Sequence, residues 1–201
     1  MTNKPIDQLS RALEATELVI AAVRPEQWEG RTPCAGWTVR DVVSHLVSGN
    51  RAFTAVLCGP PAAASGESLP PDAELCGAYR DSARALVAAF SQPGALERVC
   101  TVAVGAVPGI VALNLRITEA LVHGWDLARA TGQPSSFPED LAEQELTFTR
   151  SKLAELPPDH YPFDLPQPVA DEAPAIDRLA ACLGRNVTTE AFPDAAHPFQ
   201  P

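Results

Sequence analysis

Gly109-Ile-Val-Ala-Leu-Asn-Leu-Arg-Ile-Thr-Glu-Ala-Leu-Val-His-Gly-Trp-Asp-Leu-Ala-Arg-Ala-Thr-Gly132 carries Ile110, Leu113, Ile117, Leu121 and Leu127 at helical spacing. It reads as one long helix that closes near Gly132-Gln-Pro134. Downstream, Pro138 suits the first turn of a further helix over Glu139–Glu155, stopped by Pro157-Pro158. A proline-spaced run over 156–173 leads to a short helix at about 174–183, closed by Gly184. Upstream, Val99-Cys-Thr-Val-Ala-Val104 is β-branched and predicts a small strand or extended crossover. Before it, Leu75, Tyr79, Ala83, Leu86, Val87 and Phe90 predict a helix over about 73–91, after a flexible connection at 60–72. Another helix starts at Thr38, whose N-cap role is supported by Asp41 three residues on, and stops at Gly59-Pro60-Pro61. Ile6, Leu9, Leu13, Ile20 and Val23 place the first helix at about 4–24. Four to five helices of similar length joined by medium loops predict an all-α helix bundle with a short extended crossover and a small C-terminal helix. Residues 1–156 read as the bundle, and 157–201 as a proline-rich extension whose short helix packs on the same domain.

The chain has 201 residues, 46% hydrophobic and 20% charged, enough to bury a core. Only 6% are aromatic, so Ala, Val and Leu must build most of that core. The net charge of −10 argues against nucleic acid, which needs a basic patch, and against an anionic membrane surface. The acidity is uneven: residues 1–136 carry −2 and residues 137–201 carry −8. Five scattered cysteines without a Cys-x-x-Cys pair resemble neither a disulfide framework nor a zinc ribbon. The N-terminus lacks the regions of a signal peptide, and no apolar run approaches the ~20 residues of a membrane span. The expectation is a reduced cytoplasmic protein.

Four histidines are present. His160 and His197 fall in proline-rich segments, whereas His45 and His123 fall inside apolar helices. Glu119 precedes His123 by four residues, so the two share a helix face, which continues to Asp126 and back to Arg116. Two ligands from one helix and a third from another would make a two-His, one-carboxylate metal site with open coordination positions. Spacing alone equally allows an ion pair between Arg116 and Glu119 and core histidines bonded to backbone carbonyls. Neither Glu-x-x-His nor His-Glu-x-x-His occurs, which removes the di-iron bundle and the common zinc protease.

Thr32-Pro-Cys-Ala-Gly-Trp-Thr-Val-Arg-Asp-Val-Val-Ser-His-Leu-Val47 and Leu115–Gly132 together resemble the DinB-like metal-binding four-helix bundles. The branch they resemble is that of mycothiol-dependent maleylpyruvate isomerase N-terminal domains. Asp171-Glu-Ala-Pro-Ala-Ile-Asp-Arg-Leu179 is similar to a related C-terminal signature. The resemblance implies a divalent metal, foremost Zn2+ with Ni2+ or Fe2+ as alternatives, held by His45, Glu119 and His123. It also implies mycothiol or another low-molecular-weight thiol as cosubstrate, activated for S-transfer to, or isomerisation of, an electrophilic small molecule. A homodimer is compatible with such bundles. The alternative is a non-catalytic metal- or small-ligand-binding, stress-related bundle, and a third is an iron oxygenase on the same ligands.

Further candidates surround this set. Asp126 stands one turn beyond His123, where it could orient a ring N–H or be a solvated charge near the helix end. Arg40, Arg51 and Arg116 are candidates for receiving the carboxylates of a thiol cofactor or substrate, or are structural ions. Trp37 and Trp125 are pocket walls or core, and Cys34 is a fourth ligand or a small buried hydrophobe.

Overall fold

The computed structural model describes residues 4–58, 70–102, 105–155 and 163–188. His160, His197 and most of the 60–72 connection lie outside the described residues. The elements are α1 (Lys4–Ala21), α2 (Val39–Cys58), α3 (Asp72–Phe90), β1 (Val99–Val102), β2 (Gly105–Pro108), α4 (Gly109–Thr131), α5 (Glu139–Ala154) and α6 (Ala175–Cys182). A single 3-10 turn, Pro25–Gln27, interrupts the loop after α1.

The long stretch quoted first becomes the centre of the molecule. Each of α1, α2, α3 and α5 shows one apolar face, but α4 is buried on almost every side from Ala112 to Ala128. A helix buried all round must be wrapped by others. Here α1, α3, α2 and α4 neighbour one another in that cyclic order as a four-helix bundle, and α5 and α6 pack against the outer side of α4. Thr16 ties α1 to α4 by donating its hydroxyl to the Ala120 carbonyl at 2.7 Å.

Thr38 and Asp41 form the reciprocal cap at the start of α2. The Thr38 amide donates to Asp41 Oδ2 at 2.9 Å, and the Asp41 amide donates to Thr38 Oγ1 at 3.2 Å. Two orphan donors of the helix start are thereby satisfied. The small strand or extended crossover expected over 99–104 is β1, paired antiparallel with β2 in a hairpin, with Val99 opposite Pro108 and Val102 opposite Gly105. Its second arm, Gly-Ala-Val-Pro, is too short and too small in side chain for alternation to register. The hairpin closes the bundle beside α2 and the start of α4.

Candidate metal centre

The α2–α4 seam brings His45 against the Glu119 face. His45 Nε2 lies 2.8 Å from Glu119 Oε2, and His123 Nε2 lies 3.4 Å from the same oxygen. One ligand-type atom from each residue falls within 4.8 Å of the other two. Side-chain exposure runs from 38% at His45 through 22% at Glu119 to 6% at His123. The cluster therefore opens to solvent along α2 and closes toward the core.

Trp37 lies beside both imidazoles at this opening. Its ring centroid is 4.8 Å from that of His45, and 5.7 Å from that of His123 with the planes 14° apart. The preceding loop is fixed by Thr32, whose amide and hydroxyl both donate to the Trp37 carbonyl at 3.1 and 3.0 Å. Arg31 and Thr38 form an antiparallel bridge at the base of the loop. The turn-rich stretch 31–37 is thus a rigid arm that delivers an aromatic wall to two histidines. Trp125 is fully buried instead and donates its Nε1–H to Asp177 Oδ1 at 2.7 Å, anchoring α6 to α4.

On the inner side, Asp126 Oδ2 is 3.0 Å from His123 Nδ1. An ionised carboxylate only accepts, so Nδ1 carries the proton and Nε2 is left facing Glu119 and His45. Asp126 is completely buried and gripped by Arg185, Nη2 to Oδ2 at 3.0 Å and Nε to Oδ1 at 3.3 Å. Burial opposes its ionisation, but the Arg185 charge and the His123 hydrogen bond outweigh it and hold the carboxyl below its usual range. Glu119 behaves alike: desolvation is overcome by hydrogen bonds from His123 and His45 and by the Arg116 charge, so its carboxyl titrates well below the ordinary value. His123 is desolvated yet raised, because both of its nitrogens face carboxylates.

Arg116 is an internal ion. It is 2% exposed, donates from Nη2 to Asn50 Oδ1 at 2.8 Å, and places Nη1 3.9 Å from Glu119 Oε2. Its guanidinium lies 5.3 Å from the Phe53 ring centroid, and its Nε has no hydrogen-bond partner. Gly49 makes the room, since a Cβ there would come within 2.6 Å of Arg116 Nη1. Arg40 is engaged by Asp72 and by the Pro70 carbonyl, and Arg51 is exposed on α2. The geometry thus turns Arg40 and Arg116 toward protein partners.

Cys34, His123 and Asp126 form a second set within the same 4.8 Å limit. Burial pushes the Cys34 thiol up to about 12, and Arg185 offsets this only in part. Asp126 in that set is already committed to His123 and Arg185. The first set is therefore the better cation cradle, with a carboxylate, two imidazoles and a solvent-facing side.

Sequence reasoning placed Asp126 beside His123 but missed Arg185. The only local signal is Gly184, which closes α6 with φ of 86° and turns the chain so that the next side chain points inward. Nothing in the periodicity of α6 says that this side chain crosses to α4.

The family model described as "Mycothiol maleylpyruvate isomerase N-terminal domain" matches residues 9–128, which span His45, Glu119, His123 and Asp126. Two uncharacterized proteins of Mycobacterium tuberculosis are each 35% identical over 187 residues, covering 91% of this chain and 98% of their own length. They are MT0763 of strain CDC 1551 / Oshkosh and Rv0738 of strain ATCC 25618 / H37Rv. The crystal structure of the mycothiol-dependent maleylpyruvate isomerase is similar in fold, with a TM-score of 0.58 at 19% identity over 73% of this chain and 70% of that one. On the family-model match over residues 9–128, this chain belongs to the mycothiol maleylpyruvate isomerase N-terminal domain family.

Proposed function

We propose that the protein is a metal-dependent enzyme that activates a low-molecular-weight thiol of the mycothiol type for S-transfer to, or isomerisation of, an electrophilic small molecule. The observation that carries this reading is the convergence of His45, Glu119 and His123 within 4.8 Å at a seam open to solvent. The residues present fit a divalent cation. Each offers a donor atom within 4.8 Å of the other two, and the bond from His123 Nδ1 to Asp126 turns Nε2 toward Glu119 and His45. Two imidazoles and one carboxylate suit Zn2+, with Ni2+ and Fe2+ served by the same donors. When bound, such an ion supplies a Lewis acid that depresses the pKa of a coordinated thiol.

The chain's own residues do the rest. Glu119 is kept ionised and balances charge at the centre of the cluster. Asp126 orients His123, while Trp37 stands against both imidazoles as an aromatic wall. The family to which the chain belongs supports a thiol of the mycothiol class. In this reading residues 1–156 are the bundle that carries the ligands and 157–201 are an extension whose short helix packs on the same domain.

Purified without chelator and loaded with zinc, the wild type is expected to hold the metal, and His123→Ala to lose it. A wild type with only trace metal under loading conditions overturns the reading. Zinc-loaded protein is then expected to speed consumption of mycothiol by monochlorobimane. Zinc binding with no turnover across thiols and electrophiles would assign the chain to the non-catalytic binding modules instead.

A further inference from the structure

The family match ends at residue 128, yet a buried ion pair behind the cluster comes from residue 185. Arg185 is 7% exposed and lies just past α6. Gly184 makes this approach possible. Its left-handed φ returns the chain, the Arg185 amide donates to the Ala180 carbonyl at 3.0 Å, and a Cβ on Gly184 would meet Asp164 Cβ and its carbonyl oxygen at 2.5 and 2.8 Å. The guanidinium is fixed at both ends. Nη1 donates to the Leu183 carbonyl at 2.9 Å, and Nε and Nη2 straddle the two oxygens of Asp126. Phe163 lies against its face, with the ring centroid 6.0 Å away.

A fork of this kind holds a carboxylate in both position and plane, which a single point charge does not. Asp126 in turn makes a further side-chain hydrogen bond, with His123 Nδ1. The orientation of that imidazole, and hence the aim of Nε2 toward Glu119 and His45, depends on a chain of two buried bonds reaching back to the C-terminal segment.

We infer that Arg185 is a positioning residue of the His45–Glu119–His123 cluster: acting through Asp126, it fixes the His123 ring and thereby sets the affinity of the site for a divalent cation. The segment after α5 is then a working part of the centre and not a bystander. This rests on the metal reading above, and the test separates the two.

The comparison uses the full chain as wild type, Arg185→Gln, Arg185→Lys, Asp126→Asn and the double variant R185Q/D126N. Arg11→Gln, which breaks the exposed pair with Asp140, is the control. Zinc affinity is read by competition with a chromophoric chelator. The hydrogen-bonded His123 Nδ1–H proton is read by NMR in metal-free protein, and folding by circular dichroism. R185Q is expected to bind zinc about 10- to 100-fold more weakly, the range for removing a group that orients a metal-bound histidine. R185K is expected to recover part of the loss, R11Q to match wild type, and R185Q/D126N to be no weaker than the worse single variant. The downfield Nδ1–H resonance is expected to persist in wild type and to shift or vanish in R185Q.

A folded R185Q with wild-type affinity and an unchanged resonance overturns the inference. If R185Q does not fold, R185K carries the comparison: it keeps the charge but not the fork, and wild-type affinity with an unchanged resonance there overturns it equally. A wild type that takes up no zinc but whose Nδ1–H resonance depends on Arg185 defeats the metal reading while leaving the positioning role of Arg185 standing.

Discussion

The residue that best shows how burial rewrites a side chain's chemistry is Glu145, on α5. It is fully buried, accepts from Thr118 Oγ1 at 2.8 Å and from Gln144 Nε2 at 3.4 Å, and has no cation among those partners. Burial pushes its carboxyl up from 4.5 to about 7, with the two hydrogen bonds pulling the other way. A group whose folded-state value is raised binds more protons in the folded state. Its stabilising effect is thus complete below about 4.5 and is lost as the pH rises through about 7. Glu145→Gln keeps an acceptor for Thr118 and removes the charge. It is expected to flatten the pH dependence of stability between pH 4.5 and 8 and to stabilise the protein at pH 8 by on the order of 2 kcal/mol, measured by urea unfolding at both ends of that range. The contrast with Glu119 is instructive: the same residue type on the facing side of α4 is held ionised, because two imidazoles and Arg116 surround it.

At the scale of elements, the predicted helices correspond closely to the observed ones. Caps and breakers are local chemistry: Thr38 with Asp41 starts α2, and Pro138 stands immediately before α5. Thr38→Ala is expected to cost about 1 kcal/mol. Because the same loop carries Trp37, it should also shift the tryptophan emission, which a cap loss elsewhere would not. Close approach of α2 and α4 depends on Gly49, beside the buried Arg116. Gly49→Ala forces that guanidinium to move and is expected to destabilise by about 1–3 kcal/mol, as overpacking does, read as a lower urea midpoint at unchanged slope. The hairpin and Arg185 were not legible at this scale. Both depend on contacts between segments whose own sequences carry no periodic signal.

For the whole molecule, the proposed metal site lies on the seam between α2 and α4, so on that proposal zinc binding is coupled to folding. A ligand that binds only the folded state stabilises it by about 2.7 kcal/mol at a hundredfold excess over Kd, or roughly 5–10 °C in Tm for a chain of this size. Zinc is therefore expected to raise the melting temperature by that amount and a chelator to reverse it, with His123→Ala insensitive to both. The charge asymmetry takes on a structural meaning here. The −8 of residues 137–201 lies outside the three candidate ligands, but Arg185 from that acidic segment is the cation that compensates Asp126 beside them. No helix among the described residues is long and apolar enough to cross a membrane.

The sequence by itself determined the helices, their caps and the pairing of Glu119 with His123, because these follow from 3.6-residue periodicity and from hydrogen bonds that close within a few positions. It also held the two blocks whose resemblance added His45 to that pair. Only the tertiary structure decided that His45 Nε2 and His123 Nε2 face one carboxylate oxygen, that Trp37 stands beside them while Trp125 does not, and that Arg116 is an internal ion. It alone disclosed the reach of Arg185 to Asp126, fifty-nine positions away. Local rules set where a side chain leaves its helix, and packing of one helix on another sets what that side chain meets.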